Sequence, residues 1–351
     1  MEKFEFIPYG RQDIIKDDIE AVVKVLHSDF LTQGAVVPLF EKELCDYAGA
    51  EYSIVVNSCT SALHIACLAL GLSKGDILWT SPITFVASAN CALYCGADID
   101  FVDIEPDTAL MSVEKLTDKL VLAEIEGKLP KIVIPVHFAG QSCDMKDIYN
   151  LSKQYGFKII EDAAHAIGAK YKNQPVGSCK YSDITVFSFH PVKIITTGEG
   201  GAAMTNSLYL SEKMNLLRSH GITRDPDKMC NNQNNAWYYE QVKLGFNYRM
   251  TDIQAALGIS QLKRLDQYVL RRSKIAKWYG RQLKDKPIDP LMQKSDRDSA
   301  HHLYIVRIRD GEQVRNKIYN NLHENGIGVN LHYIPVYRHP FFNKKIYMEN
   351  S

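Results

Sequence analysis

The sequence predicts an α/β fold, a mostly parallel sheet covered by helices on both faces, followed by a smaller C-terminal α+β unit. Three observations carry that expectation. Short apolar runs at 54–56, 77–80, 100–104, 132–136, 157–161, 184–189 and 202–205 read as strands. Between the earlier runs, the segments 61–70, 86–94, 113–120 and 144–155 repeat apolar residues at helical spacing. Strands separated by such helices pair in parallel through crossovers and lie buried between helix layers.

The flanks follow the same logic. Segment 18–26 is amphipathic through Ile19, Val22, Val23 and Leu26, and it runs into Phe30-Leu-Thr-Gln-Gly34, a turn that ends in glycine. Beyond 205, helical patterns at about 208–219, 251–263 and 264–284 enclose a polar, Asn-rich stretch at 225–235 that reads as a surface excursion. A strand at 303–308, a helix at 311–324 and a strand at 328–332 suggest the smaller domain. The division expected is a large domain over 1–250 and a small one over 251–351.

Composition narrows the function. With 351 residues, 46% hydrophobic and 23% charged, the chain can bury a large core and is not a disordered type. Lys+Arg and Asp+Glu both number 41, so no nucleic-acid or anionic-membrane surface is expected. Apolar stretches such as 132–136 are far too short to span a bilayer, and the first residues lack the apolar run of a signal peptide. Eight cysteines (45, 59, 67, 91, 95, 143, 179 and 230) form no CxxC pair, which fits buried thiols in a reducing cytoplasm. Cys91 and Cys95 have i,i+4 spacing, but no histidine pair accompanies them, so no metal is expected.

Ligands of a parallel sheet bind beyond the carboxyl ends of its strands, where Asn57, Thr80, Ser81, His137, Asp162 and Ser188 fall. Lys193 lies just beyond, among Ser188, His190, Thr196 and Thr197 and ahead of Gly198-Glu-Gly-Gly201. Hydroxyls and glycines let backbone N–H groups approach a phosphate, and a primary amine there can form a Schiff base with an aldehyde cofactor. The plainer reading is a solvated lysine before a Gly-rich hairpin. Thr60 and Ser61 open a helix after a strand, where free N–H groups hold phosphate or simply form an N-cap. The glycines of a dinucleotide fingerprint or a P-loop are missing there, which disfavours NAD and ATP. Asp162 ends a buried strand and calls for a cationic partner; a protonated pyridine nitrogen is one, and a helix cap is the alternative. His165 and Phe85 either face a flat cofactor ring or belong to the core. Asn247 and Arg249 stand in a polar turn before an apolar helix, by spacing only a helix start.

Taken in order, Leu31-Thr-Gln-Gly34, Asn57-Ser-Cys-Thr-Ser-Ala-Leu-His64, Ser81-Pro-Ile-Thr-Phe-Val-Ala-Ser-Ala-Asn90, Glu161-Asp-Ala-Ala-His165, Ser188-Phe-His-Pro-Val-Lys193, Gly198-Glu-Gly-Gly-Ala202, Leu217-Arg-Ser-His-Gly221, Asn247-Tyr-Arg-Met250 and His332-Tyr333 span about 9–342. With these motifs the chain resembles the sugar-nucleotide aminotransferases of the DegT/DnrJ/EryC/StrS group. The resemblance implies the fold-type I, aspartate aminotransferase-like scaffold and pyridoxal 5'-phosphate as cofactor. It implies that Lys193 holds the cofactor as a Schiff base and shuttles the proton, and that Asp162 pairs with the pyridine nitrogen. Ser188, Thr60, Ser61 and the backbone around Cys59 are then expected at the phosphate, and Phe85 and His165 at the ring. Asn247 is expected to reach the cofactor phosphate of a partner subunit, which makes a homodimer obligatory. Tyr9, Asp29, Phe30, Leu31, Thr32, Asn330, Leu331, His332 and Tyr333 are expected to line the sugar-nucleotide site.

Within the family, the motif combination is most similar to the subgroup that aminates C4 of UDP-2-acetamido-2,6-dideoxy-β-L-arabino-hex-4-ulose, with L-glutamate as the donor. Another 3- or 4-keto sugar nucleotide is the nearest alternative. A dehydratase of the same fold has a histidine in place of the lysine, so Lys193 argues against it, and intact Lys193, Asp162 and Asn247 argue against a non-catalytic regulator. Relatives usually continue with another strand and helix beyond the equivalent of 341–342, so a shortened small domain is expected here.

Overall fold

Seven strands form one sheet in the spatial order Tyr52–Val56, Gly201–Thr205, Ile184–Ser188, Lys158–Asp162, Ile132–Ile134, Ile77–Thr80 and Asp98–Phe101. They are seen in a computed structural model that describes residues 6–231 and 235–342. Neighbours pair in parallel except for Gly201–Thr205, which runs antiparallel to both of its partners. The carboxyl edge therefore gathers Val56, Thr80, Ile134, Asp162 and Ser188, and Gly201 enters at that same edge between Val56 and Ser188.

The helices are α1 (Lys16–Leu26), α2 (Val36–Ala48), α3 (Cys59–Ala69), α4 (Ala87–Tyr94), α5 (Val113–Glu126), α6 (Met145–Tyr155), α7 (Leu208–Arg218), α8 (Asp252–Leu262), α9 (Leu265–Gln282) and α10 (Gly311–Glu324). Strand side chains alternate between the two faces. Val55, Phe187, Ala202 and Met204 join Phe40 and Leu44 of α2 and Ala255 and Leu262 of α8 in one cluster. Ile54, Val56, Val186 and Ala203 join Leu63 and Ile65 of α3 and Met214 of α7 in the other. Both faces are thus covered, which is why these strands are continuously apolar.

Several boundaries differ from the sequence expectation. Helix α2 was not anticipated, although Val37, Phe40, Leu44 and Ala48 mark its buried face and left-handed Gly49 ends it. Helix α5 runs six residues past 120 and stops only at left-handed Gly127. The third strand is Asp98–Phe101, and Ile104 keeps a single bridge to Met111. The fourth ends at Ile134, because Pro135 has no N–H to continue the ladder. In the C-terminal part, Ile288–Pro290 pairs antiparallel with Val306–Ile308, a shorter strand than 303–308. No strand forms over 328–332: its edge meets only Ile7, through an Ile7–Ile327 bridge and the Gly328 N–H donating to Ile7 O, so it continues as a loop. Of the excursion at 225–235, residues 232–234 lie outside the described residues, as does the tail at 343–351. Among the described residues, no helix is long and apolar enough to cross a membrane.

Candidate active site

A cavity of about 730 Å³ opens at the carboxyl edge of the sheet. It gathers Tyr9, Cys59, Thr60, Ser61, Phe85, Asp162, His165, Ser188, Lys193, Asn330, His332 and Tyr333, residues more than 300 positions apart in the chain. Asp29, Phe30, Leu31, Thr32, Asn247 and Leu331 are exposed and do not line it.

At one end stands the start of α3. Ser58 caps it, accepting the Ser61 N–H at 3.1 Å, while Ser61 Oγ donates to Asn57 Oδ1 at 2.7 Å. The first N–H groups of a helix have no partner within it, so those of Cys59 and Thr60 remain open donors at the positive end of the helix dipole. Gly201 makes this possible. A Cβ there would sit 2.6 Å from Cys59 N, so only glycine lets the helix start rest on the sheet edge. Ser188 adds a hydroxyl from the neighbouring strand end.

Asp162, the last residue of its strand, is buried and lines the same cavity. Ser88 Oγ donates to its Oδ2 at 2.6 Å and the Ala164 N–H to its Oδ1 at 3.0 Å, which fixes the carboxylate's orientation. The sequence reading missed Ser88; its signal was the i,i+4 pair of hydroxyls, since Thr84 lies 2.9 Å from it. Behind Asp162, Glu161 points to the opposite face of the sheet. It is held by His137 Nε2 at 2.6 Å and by the hydroxyls of Ser182 and Thr185.

Lys193 extends from the loop between the strands Ile184–Ser188 and Gly201–Thr205. The loop is braced internally, and here the sequence expectation needs correction. Thr196 Oγ1 donates to Phe189 O and Thr197 Oγ1 to Glu199 O, so these hydroxyls hold the loop and do not line the cavity. Burial lowers the Lys193 pKa below its ordinary value, opposed by the Asp162 carboxylate. Burial likewise pushes the Cys59 thiol well up, with Asp162 adding to it.

His165 lies against the cavity with its ring 4.4 Å from that of His302, and the Nδ1 of each is buried without a partner among the described residues. Burial, then Lys193, keeps both imidazoles neutral by driving their pKa well below the ordinary value. Gly140, at φ +102, lets these segments converge, since a Cβ there would lie within 3.0 Å of His301 N, His302 N and His165 O. The mouth is formed by Tyr9, whose hydroxyl lies 2.8 Å from His332 Nε2, and by Phe85, which is 61% exposed.

The fold and this site define a class: an α/β enzyme whose cavity sets a buried amine and a carboxylate beyond a helix N-terminus. The chain matches the DegT/DnrJ/EryC1/StrS aminotransferase family over residues 12–351, and it belongs to that family. It is 40% identical over 340 residues to the UDP-4-amino-4,6-dideoxy-N-acetyl-beta-L-altrosamine transaminase of Campylobacter jejuni subsp. jejuni serotype O:2, covering 96% of this chain and 86% of that one. Among solved structures, Helicobacter pylori PseC, an aminotransferase involved in the biosynthesis of pseudoaminic acid, is 34% identical with a TM-score of 0.88, covering 97% of this chain and 88% of that one. The PLP-form of Streptococcus pneumoniae Spr1654 is 30% identical with a TM-score of 0.86, covering 99% and 90% respectively.

Proposed function

We propose that this protein is a pyridoxal phosphate-dependent transaminase that moves the amino group of L-glutamate to C4 of a UDP-linked 4-keto-6-deoxy-N-acetylhexosamine, UDP-2-acetamido-2,6-dideoxy-β-L-arabino-hex-4-ulose, in pseudaminic acid biosynthesis. The observation that carries it is that a buried Lys193, the Asp162 carboxylate and the open start of α3 line one cavity. The chain fits the cofactor at each point. The open donors of Cys59 and Thr60, with Ser188, suit a phosphate; the braced Asp162 carboxylate suits a pyridinium; and the His165 Nδ1, buried without a partner among the described residues, suits a polar group of the ligand. When bound, the cofactor supplies an electron sink for a carbanion at the donor's Cα.

The protein's own groups do the rest. Lys193 would anchor the cofactor, and its Nζ, inclined to neutrality by burial, would move a proton from the donor Cα to the cofactor's benzylic carbon and, in the second half-reaction, from that carbon to the sugar's C4. Asp162 stays oriented by Ser88, and neutral His165 adds no positive charge beside Lys193. Tyr9, Asn330, His332 and Tyr333 line the mouth where the sugar nucleotide enters. The test is an assay of the purified, cofactor-loaded protein with L-glutamate and several keto sugar nucleotides, the position of the new amine being read by NMR. Amination at C4 of the named UDP-sugar is expected. A preferred product aminated at C3, or turnover of other keto sugars only, would overturn the assignment.

The same reading makes the protein a cytoplasmic homodimer with shared sites. Asn247, Asp29 and Thr32 are exposed in their own chain, and Phe30, Leu31, Trp237 and Leu244 form apolar surface that a second copy can cover. An inactive Lys193→Ala protein mixed with an inactive Asn247→Ala protein is expected to regain part of the wild-type rate, because one site of each mixed dimer is intact. A mixture no more active than its components removes the intersubunit role. The two-domain division is part of this reading, with the second unit's own sheet at Ile288–Pro290 and Val306–Ile308.

A further inference from the structure

Two segments far apart in the sequence are pinned together at the cavity mouth. Residues 6–10 run exposed over the surface and meet the loop at 326–332. The Ile7 N–H donates to Gly326 O at 2.8 Å and the Gly328 N–H to Ile7 O at 2.7 Å, which makes the parallel Ile7–Ile327 bridge. Two residues on, the Tyr9 hydroxyl lies 2.8 Å from His332 Nε2, and the two rings stack with centroids 5.2 Å apart. Tyr9 and His332 both line the cavity, so this clasp closes across its mouth. On its other side the segment is anchored at Asp13, whose carbonyl accepts Gln261 Nε2 at 2.9 Å and whose carboxylate accepts Arg264 Nη1 at 3.0 Å. Between anchor and clasp the chain crosses the lysine loop: a Cβ on Gly10 would sit 3.8 Å from the Cβ of Val192, the neighbour of Lys193.

Gly328 lets the segment lie this close. A Cβ there would meet Tyr9 N at 2.6 Å, Ile7 O at 3.0 Å and the Phe6 ring at 3.1 Å, so all three nearest atoms belong to residues 6–9. The first two are backbone atoms, which cannot swing aside as the end of a side chain can. Gly328 is not in the left-handed region, so the close approach and not the local backbone calls for glycine. The bonds that hold the segment face solvent, with Phe6 54% and Ile7 62% exposed. Segments held in this way open at little cost beside a buried sheet.

Given the sugar-nucleotide transaminase reading, on which this step rests, we propose that residues 6–10 form a strap that lifts to admit the sugar nucleotide and closes over it. Tyr9–His332 is its clasp and Gly328 its seat. A cavity that exchanges a keto acid for a sugar nucleotide between half-reactions needs such an opening, and closure afterwards excludes water. Gly328 is a positioning residue, since it acts on the substrate only through Tyr9. The smaller amino donor reacts at Lys193, beneath the mouth, so its half-reaction does not depend on the clasp.

Hydrogen exchange of the cofactor-loaded protein would be read by mass spectrometry with and without UDP-N-acetylglucosamine, a probe that lacks the ketone and is not aminated. Peptides covering 6–10 and 326–332 should exchange more slowly with the probe bound. In Gly328→Ala the 6–10 peptide should exchange rapidly even without the probe, and the probe should bind about 10-fold or more weakly. The lysine-linked absorbance of that variant, and its conversion by L-glutamate, should match wild type. Tyr9→Phe keeps the ring and loses the hydroxyl, so a smaller loss of probe affinity is expected, about 3-fold. Unchanged exchange at 6–10 when the probe binds, or a Gly328→Ala protein that holds the probe as tightly as wild type, would overturn the strap alone. An equal loss of the glutamate half-reaction in Gly328→Ala would do the same, by making the residue a general structural one. Wild type that leaves the probe unbound would overturn the sugar-nucleotide reading itself, and the strap with it.

Discussion

Lys193→Ala is expected to lower turnover by roughly 10⁴-fold or more, because positioned acid–base catalysis alone contributes about 10²–10⁴-fold and the covalent anchor is lost as well. The near-visible absorbance of lysine-linked cofactor should vanish with it. The fold should survive, for a reason that separates function from stability. Lys193 has a folded-state pKa held below its ordinary 10.5, chiefly by burial, so the folded chain binds this proton less readily than the unfolded chain does. Such a lysine costs stability in full below its folded value, and the cost fades as pH rises from there to the unfolded value. In the cofactor-free protein, Lys193→Ala should therefore melt no lower than wild type at pH 7, and its advantage should shrink as pH approaches about 10. A small primary amine added to the medium should restore part of the proton transfer. Retained absorbance or near-normal turnover would remove Lys193 from the reaction; a collapsed melting temperature would make it a structural residue.

That a cavity would form at this edge was legible because strand-end residues are marked in the chain: Asp162 and Ser188 each terminate an apolar run, and Thr60 and Ser61 follow one directly. Periodicity identified these elements because one face or both were buried. It was less informative where burial is partial. Helix α2 had a readable pattern at Val37, Phe40 and Leu44, but its neighbours include exposed Leu39, which blurs the stripe. The segment at 328–332 has strand-like composition and still forms no strand, since pairing depends on an available edge and, among the described residues, only Ile7 supplies one. Side-chain partnerships were harder still. Thr196 and Thr197 have the composition of phosphate ligands, yet they sit within reach of their own loop's carbonyls, and the local bonds form. Ser88 is an ordinary helix residue until the fold brings Asp162 beside it, 74 positions away.

Asp18→Ala is the substitution expected to cost the most stability. Asp18 was expected only to open a helix, but it is fully buried and ties α1 to α8. Its carboxylate accepts the Ile15 N–H at 2.9 Å, Ser260 Oγ at 2.6 Å and Gln261 Nε2 at 2.9 Å, and it pairs with Arg264 Nη2. Arg264 also reaches Asp13 at 3.0 Å, and Tyr268 donates to that same carboxylate. Removing one partner of such a buried network strands the others without a charge to meet, typically at a cost of about 3–5 kcal/mol. Against a total stability of about 5–15 kcal/mol, that is a large fraction. Burial alone would raise the Asp18 pKa, but the donors and Arg264 outweigh it and hold it below the ordinary 3.8. A carboxylate with a depressed folded pKa contributes stability that is fully present above its unfolded value and is lost as pH falls through the folded one. Urea midpoints of wild type and Asp18→Ala should therefore stay well separated from pH 5 to 8 and converge only below about 4. Asp18→Asn should recover little, because its amide nitrogen would face Gln261 and Arg264 donors. A midpoint difference equivalent to less than about 1 kcal/mol would place the network among weak surface pairs. Helix α1 leads directly into the turn at 29–32, which hydrogen-bonds to the start of α8 through Leu31 O. Loosening α1 should thus disturb that turn before the sheet, and so weaken sugar-nucleotide binding ahead of cofactor binding.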